Sequence, residues 1–378
     1  MIELADIFRQ YGHGYIRRFA STIPHSHLRV MDEIIRCRTQ TLGGMVFYCE
    51  HCQEYHYSYH SCGNRHCNKC QNDRAQQWLE EKKNMLLPVS HFLVTFTLHN
   101  SLRRVARSHQ KLCYHLMFKC AAEALQTLAQ DFKYLGGQIG MLGILHTWGR
   151  DLCYHPHVHF IVPGIAYFKD GDALLFASDN FLVPVKALSI IFRAKFQDAL
   201  KQKDKILFDS IDSNVWREDW VVHSDNVGTG EAAFKYLANY VFRVAISNNR
   251  ILSMNDGKVS FKYQQSETQQ WKIMTLQVFE FMRRFLQHVL PAGFVKVRYY
   301  GFWAAANKNI LQRIKELLAI KEQDDSPAEK IKKPELIRCP TCGKEMVFVA
   351  EVKPGARWPH APPLHKYQSG NMINGVHF

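Results

Sequence analysis

The chain has 378 residues, 47% of them hydrophobic, enough to build two or three domains with proper cores. No apolar run reaches the ~18–20 residues that cross a bilayer, and the N-terminal MIELADIFRQYGHGYIRRFAST carries charges throughout, which excludes a signal peptide and predicts a cytoplasmic protein with no membrane partner. A net charge of +14 and a pI near 9.2 point to a polyanionic partner, nucleic acid first among them.

In chain order, residues 1–36 read as two helices. Residues 37–71 are rich in Cys, His, Tyr and Gly and poor in core material, so something other than apolar packing must hold them together. A helix is predicted from about Asn72 to Met85, ended before Pro88. HFLVTFTLH (91–99) has the β-branched and aromatic content of a buried strand. A proline-free helical stretch covers 102–131, a second strand 138–148, and a turn at 149–151 leads into a third strand, 154–163. Short strands are predicted over 172–185, a helix over 186–202, a strand over 219–224 and a helix over 230–244. A hairpin turns through Asn255-Asp256-Gly257, a helix covers 274–290, and a basic linker at 321–335 precedes a short Cys-containing tail. The order of elements over 91–244 predicts an α+β fold: an antiparallel sheet with helices on one face.

The 11 cysteines, an odd number in a cytoplasmic setting, argue against a disulfide framework. Cys49-x2-Cys52 and Cys67-x2-Cys70, 14 residues apart, match the spacing of a zinc ribbon, four thiolates completing one tetrahedral structural site. Cys37, Cys62 and His66 remain as candidates for a second site. Arg65, Lys69 and Arg74 lie close by, and Arg65 and Lys69 are candidate DNA contacts. Cys339-x2-Cys342 is half a site, with His360, His365 and His377 as possible partners. Cys113, Cys120 and Cys153 read as buried apolar residues.

DLCYHPHVHFIVPG (151–164) places His155, His157 and His159 at alternate positions, hence on one face of a strand. Two chemistries fit. One is a histidine triad that attacks a nucleotide phosphate, where Pro156 fits poorly. The other is the pair His157-Val158-His159 chelating a divalent metal in a single-strand nuclease. Tyr236 and Tyr240, four apart on the helix predicted over 230–244, share a face and can act as nucleophiles on a phosphodiester. That favours the metal reading, the ion polarising the scissile phosphate. Two imidazoles rarely hold a divalent ion well. His146 on the preceding strand is the candidate third ligand, and His155 competes with it. Lys235 or Arg243 beside the tyrosines can orient the phosphate. In YGHGYIRRF (11–19) and KVRYYGFWAAANK (296–308), aromatics interleave with basic residues, a pattern suited to stacking single-stranded bases.

Over almost its whole length the chain resembles the HUH two-tyrosine transposases of rolling-circle bacterial insertion sequences, the insertion-sequence ninety-one type. The resemblance lies in LADIFRQYG, CRTQTLGG, SCGNRHCNKCQ, LHTWG, HPHVHFIVPG (followed here by Ile165), YLANYVFRVAISNNRI, FMRRFLQHVLPAGFVKVRYYGFWA and CPTCGKEM. It implies an N-terminal helical and zinc-binding domain (1–88) that helps recognise the element ends, and an HUH nuclease domain (89–250). A DNA-binding extension (251–320) and a linker with the CxxC tail (321–378) would follow. It further implies structural Zn2+, catalytic Mg2+ or Mn2+, and single- and double-stranded DNA at element ends and target as partners. Tyr236 or Tyr240 would become joined to a 5′ phosphate. A plasmid replication initiator or relaxase, which would not share the cysteine array, and a non-catalytic zinc-ribbon DNA-binding protein are the rival readings.

Overall fold

The computed structural model describes residues 1–82, 85, 87–230, 241–265, 268–320 and 337–356. It opens with α1 (Leu4–Arg18) and α2 (His25–Arg36), whose apolar stripes pack Leu4, Ile7 and Phe8 against Val30, Met31 and Ile34. A hairpin follows, β1 (Gly44–Cys49) and β2 (Glu54–Tyr59), then α3 (Gln71–Lys82).

The centre of the molecule is a fully antiparallel sheet. Its strands are β3 (Ser90–Thr97), β4 (Gln138–Trp148), β5 (Tyr154–Pro163), β6 (Ile165–Phe168), β7 (Ala173–Phe176) and β8 (Val222–Thr229), in the order β7-β6-β4-β5-β3-β8. The helical stretch predicted over 102–131 is two helices, α4 (Arg103–Ser108) and α5 (Gln110–Ala129), because His109 leaves the helical region at φ −120°, ψ 48°. With α6 (Val185–Lys203) and the short α7 (Lys205–Asp209), α5 covers one face of the sheet. Alternate residues of β3, β4 and β5 (Phe92, Val94 and Phe96; Met141 and Leu145; Val158, Phe160 and Val162) meet Phe118, Phe192 and Phe196 there. Each such ring or branched side chain contributes about 1.5–3 kcal/mol by leaving water. Cys113 and Cys120 enter this core as expected, whereas Cys153 is exposed.

β9 (Ile251–Asn255), β10 (Lys258–Gln264) and β11 (Trp271–Gln277) form a separate meander. The helix predicted from 274 therefore begins late, as α8 (Val278–Leu286), because Met274 to Gln277 are taken up by pairing with β10. β12 (Val297–Gly301) adds to the edge of β4 beyond β6, and α9 (Lys308–Leu317) packs beside it. β13 (Val347–Val352) pairs antiparallel with β1, so the tail completes the N-terminal sheet. Most of the helix predicted over 230–244, with Lys235, Tyr236 and Tyr240, lies outside the described residues, as do the linker at 321–335 and His360, His365 and His377. Among the described residues no helix is long and apolar enough to cross a membrane.

Candidate metal and DNA-processing site

The sheet face opposite α5 and α6 carries the histidines. Strand register puts His146 of β4 across from His157 of β5, and Thr95 of β3 across from His159. Because side chains alternate, His146, His157, His159 and Thr95 project to one side. Each imidazole offers a nitrogen within 4.8 Å of those of the other two. Ring centroids are 4.7 Å apart for His157 and His159, 4.9 Å for His146 and His159, and 5.6 Å for His146 and His157. His155 is turned elsewhere: its Nδ1 lies 2.6 Å from the Arg103 guanidinium, which can only donate, and its carbonyl accepts from Nδ1 of His157 at 2.7 Å.

That last bond fixes a tautomer. A carbonyl only accepts, so Nδ1 of His157 carries the proton and Nε2 keeps its lone pair for a metal. Nδ1 of His159 is held by the Thr95 hydroxyl at 2.8 Å. Burial pushes the pKa of His157 down to about 3, with His155 adding to the effect, and burial likewise holds that of His159 well below the usual histidine range. Both rings are thus neutral at physiological pH, the form that binds metal. Three imidazoles on a rigid sheet, with the outer nitrogen of at least one fixed by a carbonyl, suit a divalent ion with open coordination positions. Sequence reasoning missed Thr95, which strand alternation alone cannot assign to a partner without the β3–β5 register. It also missed Lys296. Lys296 is half-buried, its ammonium 3.0 Å from the Val241 carbonyl and 3.3 Å from that of Arg243, and lies over the Trp148 ring at 5.4 Å. Trp148 in turn stacks on His146 at 4.7 Å.

The zinc-ribbon grouping needs correction. Cys49, Cys52, Cys67 and Cys70 do not share a site. The thiols sort as Cys37, Cys62, Cys67 and Cys70, and as Cys49, Cys52, Cys339 and Cys342. The reason is the hairpin: Cys49 and Cys52 flank its tip, while Cys37 and Cys62 lie at its open end, and a six-residue strand spans about 20 Å. Cys37 and Cys62 therefore belong to the first tetrad. His66 does not: it is half-buried, and its Nε2 accepts the Leu290 N–H at 3.3 Å. Hydrogen bonds among the four thiols draw the pKa values of Cys37 and Cys70 down and push those of Cys62 and Cys67 up, so the four titrate as one coupled group. The first tetrad is embedded with α1, α2, Trp148 and α8 in one core, so it braces the strand end that carries His146.

Of the expected DNA contacts, Arg65 is exposed and donates to the Phe294 carbonyl at 2.5 Å, and Lys69 pairs with Glu3 at 2.5 Å. Arg243 is exposed. The interleaved aromatics are mostly packing: Tyr15, Phe302 and Trp303 are buried, placed there by the inward faces of α1 and the segment after β12.

An α+β fold with a three-histidine sheet face and two thiol tetrads defines a protein with three side-chain groups able to hold a metal ion, one of imidazoles and two of thiols. Residues 7–98 match the family model "Transposase zinc-binding domain", and residues 140–310 match Y2_Tnp, "Putative transposase". The chain is 36% identical to "Putative transposase y4qJ" of Sinorhizobium fredii, over 94% of its own length and 97% of that protein's. It is 24% identical to "Transposase for insertion sequence element IS801" of Pseudomonas savastanoi pv. phaseolicola, over 86% of its length and 84% of that protein's. No solved structure matches. The chain belongs to the IS91 family of transposases, with an N-terminal zinc-binding domain, and is thereby a DNA-binding, DNA-cleaving enzyme with structural zinc.

Proposed function

We propose that this transposase nicks and rejoins single-stranded DNA at insertion-sequence ends through a covalent 5′-phosphotyrosine, in a rolling-circle scheme of the HUH type. The observation that carries the reading is the triad His146, His157 and His159, gathered on one buried sheet face in a chain of this family. One relative, the transposase of IS801, is named for an insertion sequence, which supports element ends as the DNA acted upon.

His146, His157 and His159 would hold Mg2+ or Mn2+, which as a Lewis acid makes the scissile phosphate more electrophilic and better placed. Tyr236 or Tyr240 gives up its phenolic proton, and its oxygen attacks phosphorus. The bond from phosphorus to the 3′ oxygen breaks, and that oxygen takes up a proton to leave a 3′ hydroxyl. Rejoining runs the same exchange in reverse, with a 3′ hydroxyl displacing the tyrosine, so no nucleotide is hydrolysed. The second tyrosine serves the second cleavage or strand transfer. Lys235 and exposed Arg243, close in sequence to the tyrosines, meet backbone phosphate.

A covalent-trapping assay tests this. The protein is incubated with Mg2+ or Mn2+ and labelled single-stranded DNA carrying an element end, then run on a denaturing gel. An adduct is expected from wild type, absent from His157→Ala and from one of Tyr236→Phe and Tyr240→Phe. An adduct that survives the double tyrosine variant overturns the nucleophile assignment. DNA binding without any adduct favours a non-catalytic zinc-ribbon DNA-binding protein.

A further inference from the structure

We infer that the second thiol tetrad is a zinc site in its own right, a clasp that binds the C-terminal tail to the N-terminal hairpin, so that the chain carries two structural zinc ions. The transposase zinc-binding region ends at residue 98, whereas two of these four thiols come from Cys339 and Cys342.

The geometry is that of a metal tetrahedron. With Zn–S bonds of about 2.3 Å, sulfurs at the corners of a tetrahedron stand roughly 3.8 Å apart, against about 2.05 Å in a disulfide. Cys49 and Cys342 are 3.6 Å apart, and Cys52 and Cys339 are 3.9 Å apart. The first tetrad shows the same spacing, 3.9 Å between Cys62 and Cys70.

Both halves are shaped as knuckles. On the hairpin, the Cys52 N–H points at Cys49 Sγ at 3.5 Å. On the tail, Gly343 takes φ +72°, its N–H donates to the Cys339 carbonyl at 2.8 Å, and the Cys339 N–H donates to the Lys344 carbonyl at 2.7 Å. His56 Nε2 lies 3.4 Å from Cys339 Sγ, placed to donate to a thiolate. The four thiols sit in a small cluster with only Phe47 and Met346 as further buried apolar residues. That is too little apolar surface to hold two distant chain segments together, and a zinc ion held by four thiolates supplies the missing energy. β13 then covers the edge of β1 along Gly44–Tyr48, leaving the N-terminal sheet dependent on the far end of the chain.

The test is zinc stoichiometry on the full-length protein, purified with zinc and no other added metal. Wild type is expected to carry two zinc ions per chain that are released only when a mercurial titrates the thiols, counted apart from any zinc held by His146, His157 and His159, which a mercurial leaves in place. Cys339→Ser/Cys342→Ser is expected to carry one, as is Cys49→Ser/Cys52→Ser. The fourfold variant is also expected to carry one, because all four residues serve a single ion. Two ions persisting in Cys339→Ser/Cys342→Ser, or one in wild type, overturns the inference. Should the variants misfold, Co2+ substitution of wild type decides. Sulfur-to-cobalt charge-transfer absorption that doubles between one and two equivalents supports the clasp, and saturation at one equivalent overturns it. The outcome is independent of the nuclease reading, since no DNA enters the assay.

Discussion

His146 on β4 stands directly across the strand pair from His157 on β5, with ring centroids 5.6 Å apart, while His155 on the same strand as His157 is turned to Arg103. Register therefore separates two histidines that sequence spacing leaves equivalent. His146→Ala is expected to lower metal-dependent nicking by at least about 100-fold, in line with the several kcal/mol that a bound divalent ion supplies. His155→Ala is expected to retain activity within about tenfold, since it removes a partner of Arg103 but keeps the backbone carbonyl that fixes His157. Initial nicking rates on a labelled end oligonucleotide check both, and equal losses would exclude His146 as the third ligand.

Thr95 holds Nδ1 of His159 at 2.8 Å. Thr95→Val keeps the shape and loses the hydroxyl. Its effect should fall on metal affinity, about 10–100-fold, with little change in the maximal rate. Nicking measured against Mn2+ concentration should approach the wild-type plateau at high metal, a rescue not expected for His146→Ala. A lowered plateau with unchanged metal dependence would contradict a role for Thr95 in orienting the ligand.

Strands that alternate strictly were legible from sequence, and with them the shared face of His155, His157 and His159. What escaped was long-range register. Nothing in the spacing of Cys49, Cys52, Cys67 and Cys70 tells that a six-residue strand carries the chain away from the first knuckle, so that its complement is Cys339 and Cys342. The same limit hid Thr95 and Lys296, whose roles depend on which strands become neighbours. At Met274 to Gln277 the apolar spacing suits a helix as well as a strand, and pairing with β10 decided the matter.

Lys296 lies half-buried between the Val241 and Arg243 carbonyls, and loss of solvent around its amine pushes its pKa down from 10.5 to about 7. The folded chain is thus expected to release this proton near pH 7, while the unfolded chain keeps it up to about pH 10.5. Between those values the unfolded state holds the extra proton, so stability from this group rises with pH and is lost as pH falls toward 7. Lys296→Met removes the titration. The stability of wild type relative to the variant should increase by about 1–3 kcal/mol between about pH 7 and pH 9 in chemical denaturation. A difference that stays flat over that range would show that the amine does not titrate in the folded protein there.

Gly301 ends β12 with φ +57°, at the point where the edge of β4 passes from β12 to β6. A Cβ here would overlap the Ile139 carbonyl oxygen, a backbone atom that cannot swing aside. Gly293 also has positive φ, +70°, but a Cβ there meets nothing within 4 Å. The two positions separate conformational strain from steric overlap. Gly293→Ala should cost about 1–2 kcal/mol, the ordinary penalty of a left-handed residue. Gly301→Ala carries the same penalty and must also push β12 from β4, so a loss of about 3 kcal/mol or more is expected. Urea midpoints of the two variants measure the difference. Equal losses would mean that β12 is free to shift, and that its pairing with β4 is not what holds Lys296 against Trp148.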